Sequence, residues 1–258
     1  MVRDHGGLLE DVLVSQRAYE LSLGRVEGRY DVAHLQAFHR YLFQDLPAHG
    51  LDHLSPGEFR EPLVGPYYWT KARGFETISA SLTVGYSRMD DTAIERLGQA
   101  LVTAQPEALR GLSTEAFTDA MASFYAEADY VHPFREGNGR TLRAFTAQLA
   151  EDAGFELRWA QFVISPNHKD LLCLVRDREV SQRLFAELPW HGDMHREIQY
   201  SLDMTDAVQP LREVLAGVIR PIRDKEWVPR ARLQVPLIDV IASVPAREQD
   251  LSSDDRHW

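Results

Sequence analysis

Apolar residues return every three or four positions along most of this chain, the period of a helix with one buried face. Leu9, Val12, Leu13, Tyr19 and Leu21 keep that spacing over residues 8–22. Val32, Leu35, Phe38, Leu42 and Phe43 keep it after Asp31, whose short carboxylate suits an N-cap. The same period predicts a helix over 91–105 with Ile94, Leu97, Leu101 and Val102 turned inward. Ser113 or Thr114 opens a further helix that buries Phe117, Met121 and Phe124. At Ser165-Pro166 a cap precedes a proline at the first helical position, where the missing N–H costs nothing, and Leu171, Leu172 and Leu174 follow. Val208, Leu211, Val214, Leu215 and Val218 predict one more helix.

Two stretches break the helical pattern. Residues 47–66 are rich in Pro, Gly and His and read as a long loop of the kind that often carries function. From Tyr67 to Val84, aromatic and β-branched residues around Gly74 predict a short β-hairpin. The last dozen residues are polar and are expected to fray. The expected fold class is therefore all-α, with a small hairpin inserted.

Composition narrows the partners. A chain of 258 residues with 44% hydrophobic content can bury one sizeable core. Its formal net charge of -11 repels a phosphate backbone, so a nucleic-acid partner is not expected, although a local basic pocket can hold one anion. Cys173 is the single cysteine, and among Leu171, Leu172 and Leu174 it reads as a small buried hydrophobe. No run of 18 apolar residues occurs, so no membrane span is expected. The first residues lack signal-peptide architecture, which points to a cytoplasmic protein or to delivery into another cell without a cleaved signal.

The chemistry is concentrated in HPFREGNGRTLR, His132 to Arg143. Pro133 disfavours helix at the residue before it, so His132 stands at the end of the helix that began near Ser113. Phe134 is expected in the core, fixing the loop. Gly137, Asn138 and Gly139 permit a tight curve whose successive N–H groups make an anion-binding concavity. A helix resuming at about Gly139 adds N-terminal donors and the positive end of its dipole. Arg140 and Arg143 share one face of that helix. Two guanidiniums and an N–H nest suit a phosphate chain. Glu136 is a single hard carboxylate, which suits Mg²⁺ carried by phosphates. His132 beside a phosphate chain is a candidate general base, with an unperturbed pKa near 6.5. Transfer of a nucleotidyl or phosphoryl group to a hydroxyl follows as the expected reaction.

The same stretch resembles the signature of the Fic (filamentation induced by cAMP) family, H-x-F-x-[D/E]-G-N-G-R-x-x-R, at every defined position. GRYDVAHLQAFHRYLFQD, Gly28 to Asp45, also resembles the family's early core helices. The resemblance covers about residues 8–200 and implies a Fic domain over 1–204, with a core at about 28–200 behind an N-terminal helix; residues 205–258 are expected to form a C-terminal helical extension of unknown role. It implies a protein adenylyltransferase that moves AMP from Mg-ATP to a Tyr, Ser or Thr hydroxyl of a target protein, in the manner of a toxin or effector. By that resemblance His132 deprotonates the hydroxyl, Phe134 anchors the loop, and Glu136 holds Mg²⁺. Gly137, Asn138 and Gly139 form the anion hole, Arg140 binds the phosphate chain, and Arg143 meets the γ-phosphate. The hairpin corresponds to the family's flap, with Tyr67, Tyr68, Trp69, Lys71 and Phe75 as candidates for target docking.

The resemblance departs in places. The Trp-Ala-Gly segment that many members carry after the second core helix is absent. The inhibitory motif [S/T]-x-x-x-E-[G/N] has no match. SLGRVEG, Ser22 to Gly28, comes within one residue of it and reads as a connector, so inhibition is expected from a separate small antitoxin-like chain. Two other functional classes fit the same residues: an enzyme that uses another nucleotide donor or removes AMP, and a non-catalytic module that binds nucleotide or a partner. His191 and His195 lack a third metal ligand, and His34, His39, His49 and His53 lack metal spacing.

Overall fold

Four of the helices begin where a short polar side chain, Asp31, Asp90, Ser113 or Ser165, accepts a first-turn backbone N–H. The computed structural model describes residues 5–222 apart from 52, 53, 66, 76, 77, 164 and 191. The first helix, α1, spans His5–Leu23. The carboxylate of Asp31 accepts the His34 N–H and opens α2, Val32–Phe43. After a loop with a 3-10 turn at Leu46–His49 come two antiparallel strands, β1 (Trp69–Phe75) and β2 (Ala80–Tyr86). Asp90 caps α3, Asp91–Thr103, and a short α4, Pro106–Leu109, follows. Ser113 caps α5, Thr114–Val131. Then come α6 (Asn138–Ala153), β3 (Phe155–Leu157), α7 (Pro166–Glu187, capped by Ser165), α8 (Asp193–Met204), α9 (Leu211–Val218) and β4 (Ile219–Pro221). The fold is all-α with a two-stranded hairpin, and the short β3 and β4 pair as a second small ladder.

The core is arranged around α5, which packs against α3, α6, α7, α9 and β2. Phe117, Tyr125, Ala128 and Val131 of α5 and Phe145 and Leu149 of α6 are fully enclosed in the largest apolar cluster. Phe145 sits at its centre, with the rings of Tyr30, His34, Phe38 and Phe124 all within 6 Å, centroid to centroid. Leu211, Val214, Leu215 and Val218 of α9 join this same cluster. The part of the expected extension that the structure describes is thus built into the main core, while residues 223–258 lie outside the described residues.

One expectation is corrected. In α3 the buried face is Ala93, Leu97, Ala100 and Leu101, whereas Ile94 is 39% and Val102 72% exposed. A strict apolar count cannot see that two alanines fill the contact with α5. The expected hairpin is present, with Gly74 inside β1 opposite Ser81 and Phe75 opposite Ala80. SLGRVEG leaves α1 at Leu23 and crosses to α2 as a non-helical link with Glu27 exposed.

Truncating Phe145 to alanine removes a ring from a region with no slack. The expected loss is about 3–5 kcal/mol of folding stability, read as a lower midpoint in urea unfolding followed by far-UV circular dichroism.

Candidate active site

The loop between α5 and α6 is held by its own backbone and by three side chains. His132 ends α5 in the left-handed region, φ 50° and ψ 58°, with its N–H on Ala128 O at 3.2 Å. Asn138 turns its amide back onto Phe134: the Phe134 N–H donates to Oδ1 at 2.8 Å, and Nδ2 donates to the Phe134 carbonyl at 2.6 Å. Phe134 is buried and stacks on His39 of α2 at 3.9 Å. His39 accepts the Gly57 N–H on Nδ1 at 2.8 Å. Its proton therefore sits on Nε2, which donates to the Glu136 carbonyl at 3.0 Å. Burial lowers this imidazole to about 4 and keeps it neutral. The long loop contributes Arg60, whose Nε donates to the His132 carbonyl at 2.8 Å and whose Nη2 donates to the Ser87 carbonyl at 2.7 Å. Desolvation lowers Arg60 to about 10, and it keeps its charge at neutral pH.

Gly137 precedes α6 with φ 78°, and a Cβ there would lie 2.1 Å from Cζ of Phe43. No other residue fits that position. A Cβ on Gly139 would meet guanidinium nitrogens of both Arg143 and Arg176, at 3.3 and 3.2 Å, so the start of α6 faces two arginines. With Gly137 and Asn138 opening the helix, free N–H groups, the helix dipole and these guanidiniums converge on one spot.

Two of the charges assigned to ligands, Arg140 and Glu136, are paired within the chain. Arg140 donates to Glu10 of α1 at 2.6 Å and lies over the Phe43 ring at 4.8 Å. Lys71 of β1 reaches both oxygens of Glu136, at 3.1 and 3.2 Å. Glu136 thus already accepts a cation, and its side chain is 38% exposed. No cluster of three or more His, Cys, Asp or Glu occurs among the described residues. One accessible carboxylate of this kind fits Mg²⁺ that takes most of its ligands from phosphates and water.

His132 is 3% exposed, and Tyr86 of β2 stacks on it at 3.7 Å. Neither ring nitrogen has a hydrogen-bond partner. Asp129, one turn earlier on α5, brings Oδ1 to 3.8 Å from Nδ1. Burial is the largest influence and lowers the imidazole to about 3, with Lys71 and Arg60 adding to it and Asp129 opposing it. The sequence expectation of a value near 6.5 is corrected accordingly. At neutral pH the ring is uncharged and its lone pair is available.

The hairpin residues divide. Tyr67 is 69% exposed. Tyr68 and Trp69 are half-buried against the cluster of Val84, Tyr86, Tyr130, Val180, Leu184 and Ile198. Lys71 points at Glu136. Phe75 is 4% exposed and packs with Leu82, Cys173 and Leu174, so it is a core residue and not part of a docking surface. Strand alternation explains this: Trp69, Lys71, Arg73 and Phe75 share the face turned towards the body of the molecule. Sequence reading missed Glu10, His39, Asp129, Arg176 and the pairing of Lys71. Asp129 had a signal, since it lies one turn from His132 on the same helix; the others reach the site only through tertiary folding.

The Fic/DOC family pattern matches residues 29–150. Protein adenylyltransferase VbhT of Bartonella schoenbuchensis is 28% identical over 58% of this chain, which spans only 27% of that protein's length. A probable protein adenylyltransferase Fic of Salmonella typhimurium is 31% identical over 62% of this chain and 72% of the relative. The N-terminal Fic domain of a VirB-translocated Bep effector protein from Bartonella quintana, solved with bound ADP, shares the fold. It superposes with a TM-score of 0.56 over 84% of this chain and 85% of that one, at 19% identity. The chain belongs to the Fic/DOC family.

Gly137→Ala should cost at least about 1–2 kcal/mol from the left-handed backbone alone, before the contact with Phe43 is counted. Thermal unfolding reads the loss, and a variant as stable as the parent would contradict the geometry described for the loop.

Proposed function

We propose that this chain is a protein adenylyltransferase, transferring AMP from Mg-ATP to a hydroxyl-bearing side chain of a target protein. The observation that carries the proposal is the N-terminus of α6, open towards the guanidiniums of Arg143 and Arg176, at the end of a loop that begins with a neutral His132. Family membership and the names of the two relatives support the same activity, and the ADP bound to the Bartonella quintana domain supports a nucleotide as the ligand.

In this reading the backbone N–H groups at Gly137–Gly139 and the start of α6 take the α- and β-phosphates. Arg140 exchanges Glu10 for the phosphate chain, and Arg143 takes its far end. His132 accepts the proton of the target hydroxyl as that oxygen bonds to the α-phosphorus. The bond from the α-phosphorus to the bridging oxygen breaks, and pyrophosphate leaves. Glu136 is the residue that would hold Mg²⁺, and the ion when bound offsets the negative charge of the phosphates. Lys71 then gives up Glu136 and is free to face a phosphate oxygen. Most of the rate comes from positioning and from fixed dipoles, because the chain offers no covalent intermediate.

The target is a protein with a Tyr, Ser or Thr hydroxyl, and the edge of β1 beside the exposed Tyr67 is the surface proposed to dock it. A small inhibitor chain acting in trans, and action as a toxin or delivered effector, belong to this proposal. The isolated chain is then active without an added activator, and Glu27→Ala leaves its rate unchanged.

Two experiments test the proposal. Label from α-³²P-ATP with Mg²⁺ should appear on lysate proteins or on the chain itself, and His132→Ala should reduce it about 10²- to 10⁴-fold. Label from γ-³²P-ATP in place of α-labelled ATP would point to phosphoryl transfer and reject the AMP reading. Glu10→Gln should bind ATP about 5-fold more tightly by calorimetry, since a partly exposed pair worth about 1 kcal/mol no longer competes for Arg140. Equal affinities would show that Glu10 and the nucleotide do not share this guanidinium.

A further inference from the structure

Among the described residues, Asp129 is the acid that forms a close approach to His132. It lies 1% exposed near the end of α5, one helical turn before the histidine. Arg176 of α7 grips it with two bonds, Nε to Oδ2 at 3.0 Å and Nη2 to Oδ1 at 2.8 Å. That fork fixes the plane of the carboxylate and leaves Oδ1 3.8 Å from Nδ1 of His132. A second buried pair beside it, Arg73 of β1 with Asp177 of α7 at 3.4 Å, shows that α7 does not need Asp129 as its only ionic link to the elements around it. Arg73 also donates to the Tyr86 hydroxyl at 2.8 Å, and Tyr86 stacks on the imidazole. The ring is therefore held on its face by Tyr86 and approached at one edge by Asp129.

We infer that Asp129 is a positioning residue for His132, holding the imidazole in the tautomer with its proton on Nδ1 so that Nε2 is the nitrogen that accepts a proton from substrate. The inference rests on the reading of His132 as the base. A neutral imidazole carries one proton on either nitrogen, and the nitrogen facing a fixed carboxylate is the one that carries it. At 3.8 Å the contact is longer than a hydrogen bond. It tightens when Nε2 takes a proton from the hydroxyl and the ring becomes a cation beside an anion. Stabilisation that grows as charge develops lowers the barrier without tightening the ground state.

The groups facing His132 agree with this. Lys71 from β1 and Arg60 from the preceding loop oppose a positive ring; Tyr86 from β2 is held protonated by burial; Arg176 is committed to Asp129. Asp129 is kept ionised well below the usual carboxylate range, because the neighbouring Arg176 and His132 outweigh its burial. Without Asp129 the imidazolium would stand among cations alone.

The first readout needs no transfer reaction. Nitrogen-15 shifts of His132 in the full chain should show Nδ1 protonated and Nε2 bare at pH 7; a proton on Nε2 would overturn the inference while leaving the proposed function intact. The second readout is kinetic. Asp129→Asn should lower kcat about 10- to 100-fold with KM for ATP changed less than about 2-fold, part of what a general base supplies. Because Asp129→Asn strands Arg176 and the protein then risks misfolding, the double variant Asp129→Asn/Arg176→Gln is measured beside it. Because Arg176 also faces the start of α6, Arg176→Gln alone is the reference. The double variant is expected to fold and to be slower than Arg176→Gln; an equal kcat in the two would mean that Asp129 serves only to neutralise Arg176, and the inference fails. An undiminished kcat in Asp129→Asn would end it as well. Absence of transfer by the parent chain itself would count against the proposed function, with the nitrogen-15 result still deciding the tautomer.

Discussion

Asn138 spends its side chain on one neighbour, Phe134, whose N–H and C=O it satisfies together. That pair of bonds closes the loop between α5 and α6 over four residues, and the other site positions follow from it. It points Phe134 inward onto His39, leaves Gly137 free to take a left-handed backbone against Phe43, and starts α6 with its N–H groups open. Four helix-end donors, a glycine that no side chain can replace and a buried aromatic stack are thus coupled through one amide. An aspartate at this position could accept the Phe134 N–H but could not donate to the carbonyl, so the closure needs both halves of the amide.

Around this closure the chain neutralises itself. Glu10 meets Arg140, Lys71 meets Glu136, Asp129 meets Arg176, and Asp177 meets Arg73. Two of these pairs are deep and two are partly open. The deep pairs, on α7, keep charge inside the protein at the cost of fixed geometry, and a partner removed from either would leave a buried ion uncompensated. The open pairs involve residues proposed to meet a ligand. On the proposed function, Mg-ATP would bring one cation and a chain of anionic oxygens, the complement of both open pairs, and binding would exchange ion pairs rather than desolvate bare charges.

Local signals carried the helices. Asp31, Ser113 and Ser165 cap where their side chains predict, and Pro133 does end α5 at His132. The motif loop was legible because its residues lie within twelve positions and their chemistry is unusual together. What stayed hidden was long-range. Glu10 is 130 positions from Arg140, and Lys71 is 65 from Glu136. No period or cap encodes such meetings. The misread side chains fail for a related reason: Phe75 and Val102 are equally apolar, and only the packing of neighbouring elements decides that one is enclosed and the other bare. The imidazole of His132 was expected near its free value because a sequence shows proximity to Asp129 but not the depth at which both lie.

The stretch that matches the family ends at residue 150, yet Arg176 and Asp177 stand beyond it on α7, and Glu10 stands ahead of it on α1. The inherited pattern and the physical unit are therefore different lengths of chain. Moving residues 29–150 alone onto another scaffold would carry over the signature with Lys71 while leaving Glu10 and Arg176 behind, so that Asp129 would be buried without the guanidinium that pairs with it. Engineering of this site has to take the flanking helices as cargo, because part of what makes the signature workable is written outside it.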